Sequence, residues 1–234
     1  MTYLLGAMAV AEHYNRGRHV LTELAVDLTP EQAATPVPAC PGWTVKDVFA
    51  HLAGGAADIL AGNLEGLATP PWTAKQVDNR AEHTLTQILA EWAALGPKLE
   101  AALREIGDAG TERIVADIWS HEQDVRGAIG KPGSRDVPRL AYLVDFGLTG
   151  FGEQWPAELP TVQVTSESGR WVLGQGEPTV QLAVSDFEMA RALIGRRSRA
   201  QYLGLDWSPA GEEVVGPIVD HLHVFPFPES DLLE

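Results

Sequence analysis

The stretch that decides the fold is CPGWTVKDVFAHLAGG, residues 40–55, in which a turn is followed by a helix that carries a histidine. Pro41-Gly42 marks the turn. Thr44 is a suitable N-cap residue, and Asp47 three positions later completes a pair of the capping-box type. The pattern therefore predicts a helix that begins just after Thr44.

The histidine of this helix lies beside its apolar face. At ~100° per residue, that face is formed by Val45, Val48, Leu52 and Ile59. His51 lies next to it, with Asp47 four residues before and Asp58 seven residues after. Gly54 and Gly55 follow within the helix, where each glycine costs ~1 kcal/mol relative to alanine. The glycine pair predicts that another helix or a ligand approaches the backbone closely there.

A second stretch, TERIVADIWSHEQDVRGAIG at residues 111–130, repeats the arrangement. Asp117, His121 and Asp124 are spaced four and three residues apart, which places them within roughly 60° of one helix face. The apolar residues form the neighbouring stripe of the same helix: Ile114, Ile118, Val125 and Ile129. Acids and imidazoles at the edge of a core cost free energy unless they are paired or bound to a metal.

The two helices together predict a metal site formed by His51, Asp117 and His121. Taken alone, a histidine beside an apolar face is also typical of a hydrogen-bonded core residue, and an acid four residues from a histidine is typical of a local helix pair. Helical bundles build metal sites from side chains on facing helices. Two imidazoles and one carboxylate leave positions open for water or substrate and suit zinc or another divalent transition metal.

Three further acids lie close to the predicted ligands in sequence. They are expected either to orient the imidazoles as outer hydrogen-bond acceptors or to be solvated surface acids: Asp47 and Asp58 for His51, and Asp124 for His121.

Two other features are candidates for chemistry. Cys40 precedes the turn at a helix entrance, so it is either a buried thiol or a catalytic one. Arg196 and Arg197 follow a predicted helix in the last third of the chain. They are either cations in its last turn or a fork that holds a substrate carboxylate at the metal site.

Helical patterns occupy the first two-thirds of the chain. They cover residues 7–28, 40–55, 80–106, 111–130 and 137–151, and residues 62–78 are predicted to form a loop. Alternating β patterns follow at residues 161–167, 170–174 and 179–185. The predicted fold class is therefore α+β, with a bundle of at least four antiparallel helices in residues 1–155 and a small α+β domain in residues 156–234. The sheet of that second domain is predicted to be antiparallel.

The composition excludes several kinds of partner. A formal net charge of -15 disfavours nucleic acid and anionic membranes, both of which need basic surfaces. The apolar N-terminal residues have no basic residue before them and are too short to span a bilayer. A single cysteine fits a reducing compartment. The sequence thus favours a cytoplasmic protein, monomeric or homodimeric, that acts on a small molecule.

The CPGWTV…AHLAG stretch, together with the later D-x3-H-E-x2-D-V-R stretch, resembles the mycothiol-dependent maleylpyruvate isomerase family along essentially the whole chain. The resemblance implies a DinB-like helical bundle followed by a C-terminal domain similar to sterol carrier proteins. It also implies a divalent metal, usually zinc, on His51, Asp117 and His121. The family pattern has Glu where this chain has Asp117, so the metal must lie nearer that helix or bind more weakly.

The resemblance implies that mycothiol is a thiol cosubstrate whose thiolate adds to an electrophilic small molecule. Either cis–trans isomerisation or thiol S-transfer can follow from that addition. Arg196 or Arg197 is then expected to hold a substrate carboxylate. The alternative is a non-catalytic protein that binds an apolar ligand and keeps a vestigial metal site.

Overall fold

The computed structural model describes residues 7–107, 111–135 and 138–233. The described residues divide into two compact units, one formed by residues 7–107 and 111–133 and the other by residues 134–135 and 138–233. The predicted α+β class is confirmed, because the chain is mainly helical and carries a small four-stranded sheet.

The first unit is a four-helix bundle. Its long helices are α1 (Ala7–Val26), α3 (Val45–Ala61), α5 (Leu85–Ile106) and α6 (Arg113–Ala128), and two short helices, α2 (Pro30–Ala33) and α4 (Pro70–Asp78), lie in the connections. Helices α1 and α3 each pack against both α5 and α6. The four long helices therefore surround one core, and α3 and α6 are in contact with each other.

Local sequence explains where α3 begins and ends. The Thr44 side chain accepts a hydrogen bond from the Asp47 backbone N–H, and the Asp47 carboxylate accepts from the Thr44 backbone N–H at 2.8 Å. This capping box satisfies donors that the first helical turn leaves unpaired. Gly62 ends the helix in the left-handed conformation, with φ of 75°, which glycine adopts without a steric penalty.

A buried ion pair joins α1 and α5 inside the bundle. The Arg18 guanidinium donates to Glu100 Oε1 from both Nε and Nη2, at 3.0 and 2.8 Å. Gly96 lies directly under the Arg18 side chain, where a Cβ atom would clash with it. The missing side chain leaves room for the guanidinium beside Gly96, from where it reaches the carboxylate four residues further on.

The second unit contains α7 (Pro138–Glu153), a sheet and three short helices. The strands are β1 (Val162–Thr165), β2 (Arg170–Leu173), β3 (Val180–Ala183) and β4 (Asp206–Ser208), in the order β2-β1-β3-β4. The short helices are α8 (Asp186–Leu193), α9 (Arg199–Leu203) and α10 (Glu212–Val219). Helix α7 packs against α8 and β2.

The predicted antiparallel sheet is wrong at its centre. Strand β1 pairs antiparallel with β2 but parallel with β3, and β3 pairs antiparallel with β4. Because β2 already occupies one edge of β1, the returning chain adds β3 to the other edge.

The boundary between domains expected at residue 155 stays a prediction. The contacts of α7 place this helix in the second compact unit.

The predicted loop at residues 62–78 is also wrong in its second half, because Pro70–Asp78 forms helix α4. Pro70 and Pro71 occupy its first positions, where the missing N–H groups cost no helical hydrogen bond. None of the helices in the described ranges has both the length and the apolar run needed to cross a bilayer.

Candidate metal centre

Three side chains from α3 and α6 converge in the first unit. Asp117 Oδ1 lies 3.4 Å from His51 Nε2 and 3.5 Å from His121 Nε2. The two imidazole rings meet edge to face, with centroids 5.0 Å apart. Both histidines are buried, whereas the Asp117 side chain is 43% exposed. The structure therefore brings together the three residues that the sequence predicts as metal ligands, with one side open to solvent.

The spacing of these donor atoms fits a small divalent cation. Metal–ligand bonds of ~2.0–2.2 Å at tetrahedral angles place neighbouring nitrogen and oxygen donors roughly 3.3–3.5 Å apart. The distances from Asp117 Oδ1 to His51 Nε2 and His121 Nε2 agree with this separation. Asp117 thus reaches both imidazoles although its side chain is one methylene shorter than glutamate.

The turn before α3 brings two further residues to the site. Gly42 has φ of 85°, and Trp43 donates its backbone N–H to the Cys40 carbonyl at 3.0 Å. The Trp43 ring lies 5.3 Å from the His51 ring and stacks on the His121 ring at 6.1 Å, centroid to centroid. The indole therefore covers both imidazoles and shields them from water on that side.

The outer nitrogen of His121 faces a carboxylate and a thiol. Its Nδ1 lies 3.2 Å from Asp124 Oδ2 and 3.9 Å from Cys40 Sγ. The Cys40 thiol donates to the same Asp124 oxygen at 3.4 Å. The Asp124 side chain is fully buried and lies where it can accept from His121 Nδ1, which is one of the two roles that the sequence allowed for it. These atoms also form a second, alternative set of donors that shares His121.

The electrostatics of the centre favour opposite charges on neighbouring groups. Burial alone would raise the pKa of Asp117, but the adjacent His51 and His121 hold that pKa well below its ordinary value. Burial alone would lower the pKa of His121, but hydrogen bonds with Asp117, Asp124 and Cys40 raise it well above its ordinary value. Ionised Asp117 is thus the negative group to which a cation would be drawn.

The outer nitrogen of His51 faces an amide. His51 Nδ1 lies 2.7 Å from Gln76 Oε1, and Gln76 Nε2 donates to Asp58 Oδ2 at 2.8 Å. Gln76 belongs to the last turn of α4 and is 1% exposed. Asp58 therefore acts on His51 through Gln76, whereas Asp47, the other acid predicted to orient His51, caps helix α3 instead.

Sequence reasoning missed Gln76 because it placed residues 62–78 in a loop. A signal was present, since Thr69 followed by Pro70-Pro71 is typical of a helix start. It also missed Trp43, to which it assigned no role, and the tertiary neighbours of Cys40. Gly54 and Gly55 differ in the structure: a Cβ at Gly54 would lie 2.5 Å from Gln76 Cβ, whereas one at Gly55 would lie 3.8 Å from Trp72.

The two arginines of the second unit have different surroundings. Arg197 is buried and forms a two-pronged ion pair with Glu188, with Nε–Oε2 and Nη2–Oε1 distances of 2.6 and 2.9 Å. Although burial opposes ionisation of Glu188, the Arg197 guanidinium holds the pKa of that carboxyl below its ordinary value. Arg196 is half-buried, and its Nη1 lies 3.4 Å from the Ile194 carbonyl oxygen. The predicted substrate-binding role of these arginines stays a prediction.

The fold and the centre define a class of protein: a helical bundle whose neighbouring helices present a His/Asp/His set of the kind that holds a divalent cation. Residues 14–126 match the family model described as the mycothiol maleylpyruvate isomerase N-terminal domain. These residues, just under half of the chain, are similar to that domain.

Solved structures show the same fold. A crystal structure of a histidine-to-alanine mutant of the mycothiol-dependent maleylpyruvate isomerase is 14% identical to this chain, with a TM-score of 0.59, and the match covers 83% of this chain and 92% of that one. A second crystal structure of the mycothiol-dependent maleylpyruvate isomerase is 15% identical, with a TM-score of 0.53, and covers 84% and 92% of the two chains. No curated protein matches this sequence.

Proposed function

We propose that this protein is a metal-dependent enzyme that uses mycothiol as its thiol cosubstrate and acts on an electrophilic small molecule. The observation that carries the proposal is the convergence of His51 Nε2, His121 Nε2 and Asp117 Oδ1 within the part of the chain that matches the isomerase family. The reaction is either cis–trans isomerisation or transfer of the thiol to the substrate.

The donor set suits zinc among the divalent metals. His51, Asp117 and His121 would hold the ion with two nitrogens and one oxygen, and this leaves at least one position open. A zinc ion held there would lower the pKa of a thiol at the open position, so that the thiolate is populated near neutral pH.

Residues around the proposed ligands would orient a ligand ring, limit the access of water and leave a path for the reactants. The Asp124 carboxylate accepts the Nδ1–H of His121 and thereby directs the Nε2 lone pair of that ring toward the centre. Trp43 stacks on the His121 ring and lies tilted against the His51 ring, so it would limit the access of water from that side. The exposed side of Asp117 leaves the path by which cosubstrate and electrophile reach the donors.

A thiol-dependent activity screen tests the proposed function directly. The zinc-loaded protein is incubated with mycothiol and a panel of electrophiles that includes maleylpyruvate, and substrate loss is followed. Turnover that needs both the metal and mycothiol is the expected result. Tight binding of an apolar ligand without turnover of any electrophile would instead favour the non-catalytic alternative.

Cobalt substitution distinguishes the two donor sets that share His121. Because the proposed set contains no sulfur, the Co²⁺ protein is expected to show no thiolate-to-cobalt charge-transfer band in the near ultraviolet. The band is expected to appear only when a thiol cosubstrate is added. The measurement is an absorption titration of the protein with Co²⁺ and then with mycothiol.

The matched control for this titration is Cys40→Ser. The variant is expected to bind Co²⁺ with the same stoichiometry and to develop the same band when mycothiol is added. A thiolate band that is present before mycothiol and disappears in Cys40→Ser would assign the metal to Cys40, His121 and Asp124 instead.

The arginine prediction concerns substrates that carry a carboxylate. Arg196→Ala is expected to lower kcat/KM for carboxylated electrophiles by at least ~10-fold, since a hydrogen bond between charged groups contributes ~1.5 kcal/mol or more. Uncharged electrophiles and metal content are expected to be unaffected. Arg196→Lys should restore activity only partly, because it supplies charge without the planar fork.

For Arg197→Ala, kcat/KM for carboxylated and uncharged electrophiles is compared in the same way. The stability of this variant must also be measured, because Arg197 is paired with Glu188. Thermal unfolding of both variants separates the loss of that ion pair from a loss of substrate binding. Equal kcat/KM values for carboxylated and uncharged electrophiles in both variants would contradict the predicted role.

A further inference from the structure

We infer that Gln76 is a positioning residue that, together with Asp58, fixes the tautomer of His51 and thereby makes His51 Nε2 the metal-binding atom. This inference rests on the proposed function for its metal, but the tautomer itself is a property of the protein without metal. The resemblance to the isomerase family did not indicate it, and the sequence pattern placed Gln76 in a loop.

The hydrogen-bonding capacities of the three side chains allow a single arrangement. A carboxylate can only accept, so the Asp58 oxygen, 2.8 Å from Gln76 Nε2, must face the NH₂ group of the amide. The amide oxygen therefore faces His51 Nδ1 at 2.7 Å. Because a carbonyl oxygen also only accepts, His51 Nδ1 must carry a proton.

A neutral imidazole has one N–H and one lone pair. With the proton on Nδ1, the neutral ring has its lone pair on Nε2, 3.4 Å from Asp117 Oδ1. Because the ionised Asp117 carboxylate only accepts hydrogen bonds, it favours a further proton on Nε2 in the metal-free protein, and a metal ion would replace that proton. The chain Asp58–Gln76–His51 thus prepares Nε2 as a ligand before any metal arrives. Such outer hydrogen bonds orient the ring and typically change metal affinity 10–100-fold.

The packing around Gln76 holds the amide in place. Gly54 has no side chain, and this lets the Gln76 side chain pack directly on the α3 backbone. Arg80, whose Nη1 also lies beside Gly54, donates from Nη1 to the Gln76 carbonyl oxygen at 3.1 Å and forms a two-pronged ion pair with Glu91 of α5. The C-terminal end of helix α4 is therefore held against α3 by packing at Gly54, and it is linked to α5 through Arg80, which follows the helix.

The two imidazoles are supported by groups of different charge. His121 Nδ1 faces the carboxylate of Asp124, whereas His51 Nδ1 faces a neutral amide and meets the charge of Asp58 only through it. A neutral partner makes His51 the weaker electron donor of the two and keeps one negative charge away from the centre. A metal ion held there would therefore keep more positive charge with which to attract a thiolate.

The test compares the wild-type protein with Gln76→Leu and with the exchange variant Gln76→Glu/Asp58→Asn. Leucine has a similar size but cannot hydrogen bond. In the exchange variant, the new carboxylate can accept from His51 Nδ1 and the new amide can donate to that carboxylate, so the direction of the hydrogen bonds is kept. Two readouts are used: the His51 tautomer by ¹⁵N NMR of the metal-free protein at a pH where the ring is neutral, and the Kd for Zn²⁺.

In Gln76→Leu, we expect the Nδ1–H tautomer of His51 to lose its dominance and the Kd for Zn²⁺ to rise ~10–100-fold. In the exchange variant, we expect the Nδ1–H tautomer to be retained and the Kd to stay within ~10-fold of the wild-type value. An unchanged tautomer in Gln76→Leu would overturn the inference, as would an exchange variant as impaired as Gln76→Leu.

Asp58→Asn provides a milder variant if Gln76→Leu does not fold. Asparagine can present either its oxygen or its NH₂ group to Gln76, so the amide orientation loses its fixed partner. We expect the Nε2–H tautomer to appear beside the Nδ1–H one, and a purely Nδ1–H population would count against the inference. Absence of zinc binding by the wild-type protein would refute the proposed function, while the NMR result would still decide the tautomer.

Discussion

A His51→Ala protein is expected to lose tight binding of Zn²⁺ and, with it, mycothiol-dependent turnover. The substitution removes one of three donor atoms, which leaves Asp117 and His121 from the same helix to hold the ion. The loss of affinity should exceed the ~10–100-fold that is typical of an outer hydrogen-bonding partner. Metal content after purification without a histidine tag and competition with a chelator measure the effect.

His19→Ala is the matched control for this experiment. His19 lies on the exposed side of α1, where its Nδ1 contacts the Asn15 carbonyl oxygen, and its removal should leave Zn²⁺ affinity unchanged. Both variants should give the same helical circular dichroism spectrum. Wild-type metal content in His51→Ala would exclude the proposed metal centre.

The second large effect is expected at Gly54. Gly54→Ala places a Cβ atom 2.5 Å from Gln76 Cβ and 2.7 Å from Arg80 Nη1. Because a Cβ atom cannot move without its backbone, α3 and α4 must separate. Overpacking of this kind typically costs ~1–3 kcal/mol. The shift should also carry Gln76 away from His51, so Zn²⁺ affinity should fall together with stability.

Gly55→Ala provides the comparison at the neighbouring position of the same helix. Its Cβ would lie 3.8 Å from Cη2 of the Trp72 ring, which is ordinary van der Waals contact. Alanine is favoured over glycine in a helix interior by up to ~1 kcal/mol, so this variant should be as stable as the wild type or more stable. Chemical denaturation and Zn²⁺ titration of the two variants measure both consequences.

Equal stability of Gly54→Ala and Gly55→Ala would show that α4 does not need its close approach to α3. If instead Gly54→Ala were destabilised but bound Zn²⁺ normally, the packing argument would hold while the link from α4 to His51 would be contradicted.

Much of the bundle and the identity of the predicted ligands followed from local rules. Thr44 and Asp47 act on groups within one helical turn, so their pairing was readable from spacing alone. The positions of His51, Asp117 and His121 beside apolar stripes were readable for the same reason, because helical periodicity fixes which residues share a face. Two such faces in one bundle had to meet, since each needed a partner to cover its apolar stripe.

The identity of the partners of those ligands did not follow from such rules. The spacing made Asp47 and Asp58 equally suitable as hydrogen-bond partners of His51. In the structure, the Asp47 carboxylate caps helix α3, and Asp58 is linked to His51 only through Gln76. In the same way, no local pattern indicated that Cys40 lies beside Asp124, because the two residues belong to different segments.

The sequence by itself determined the α+β class, the capping of α3 and the helix faces that carry the candidate ligands, because propensity, capping and periodicity act over a few residues. The tertiary structure decided that Gln76 supports His51, that Trp43 covers both imidazoles and that β3 runs parallel to β1. These features depend on which distant segments pack together, and that choice is made by the whole core. A glycine at 54 is compatible with a ligand or with a helix, and only the packed structure shows that the neighbour is α4.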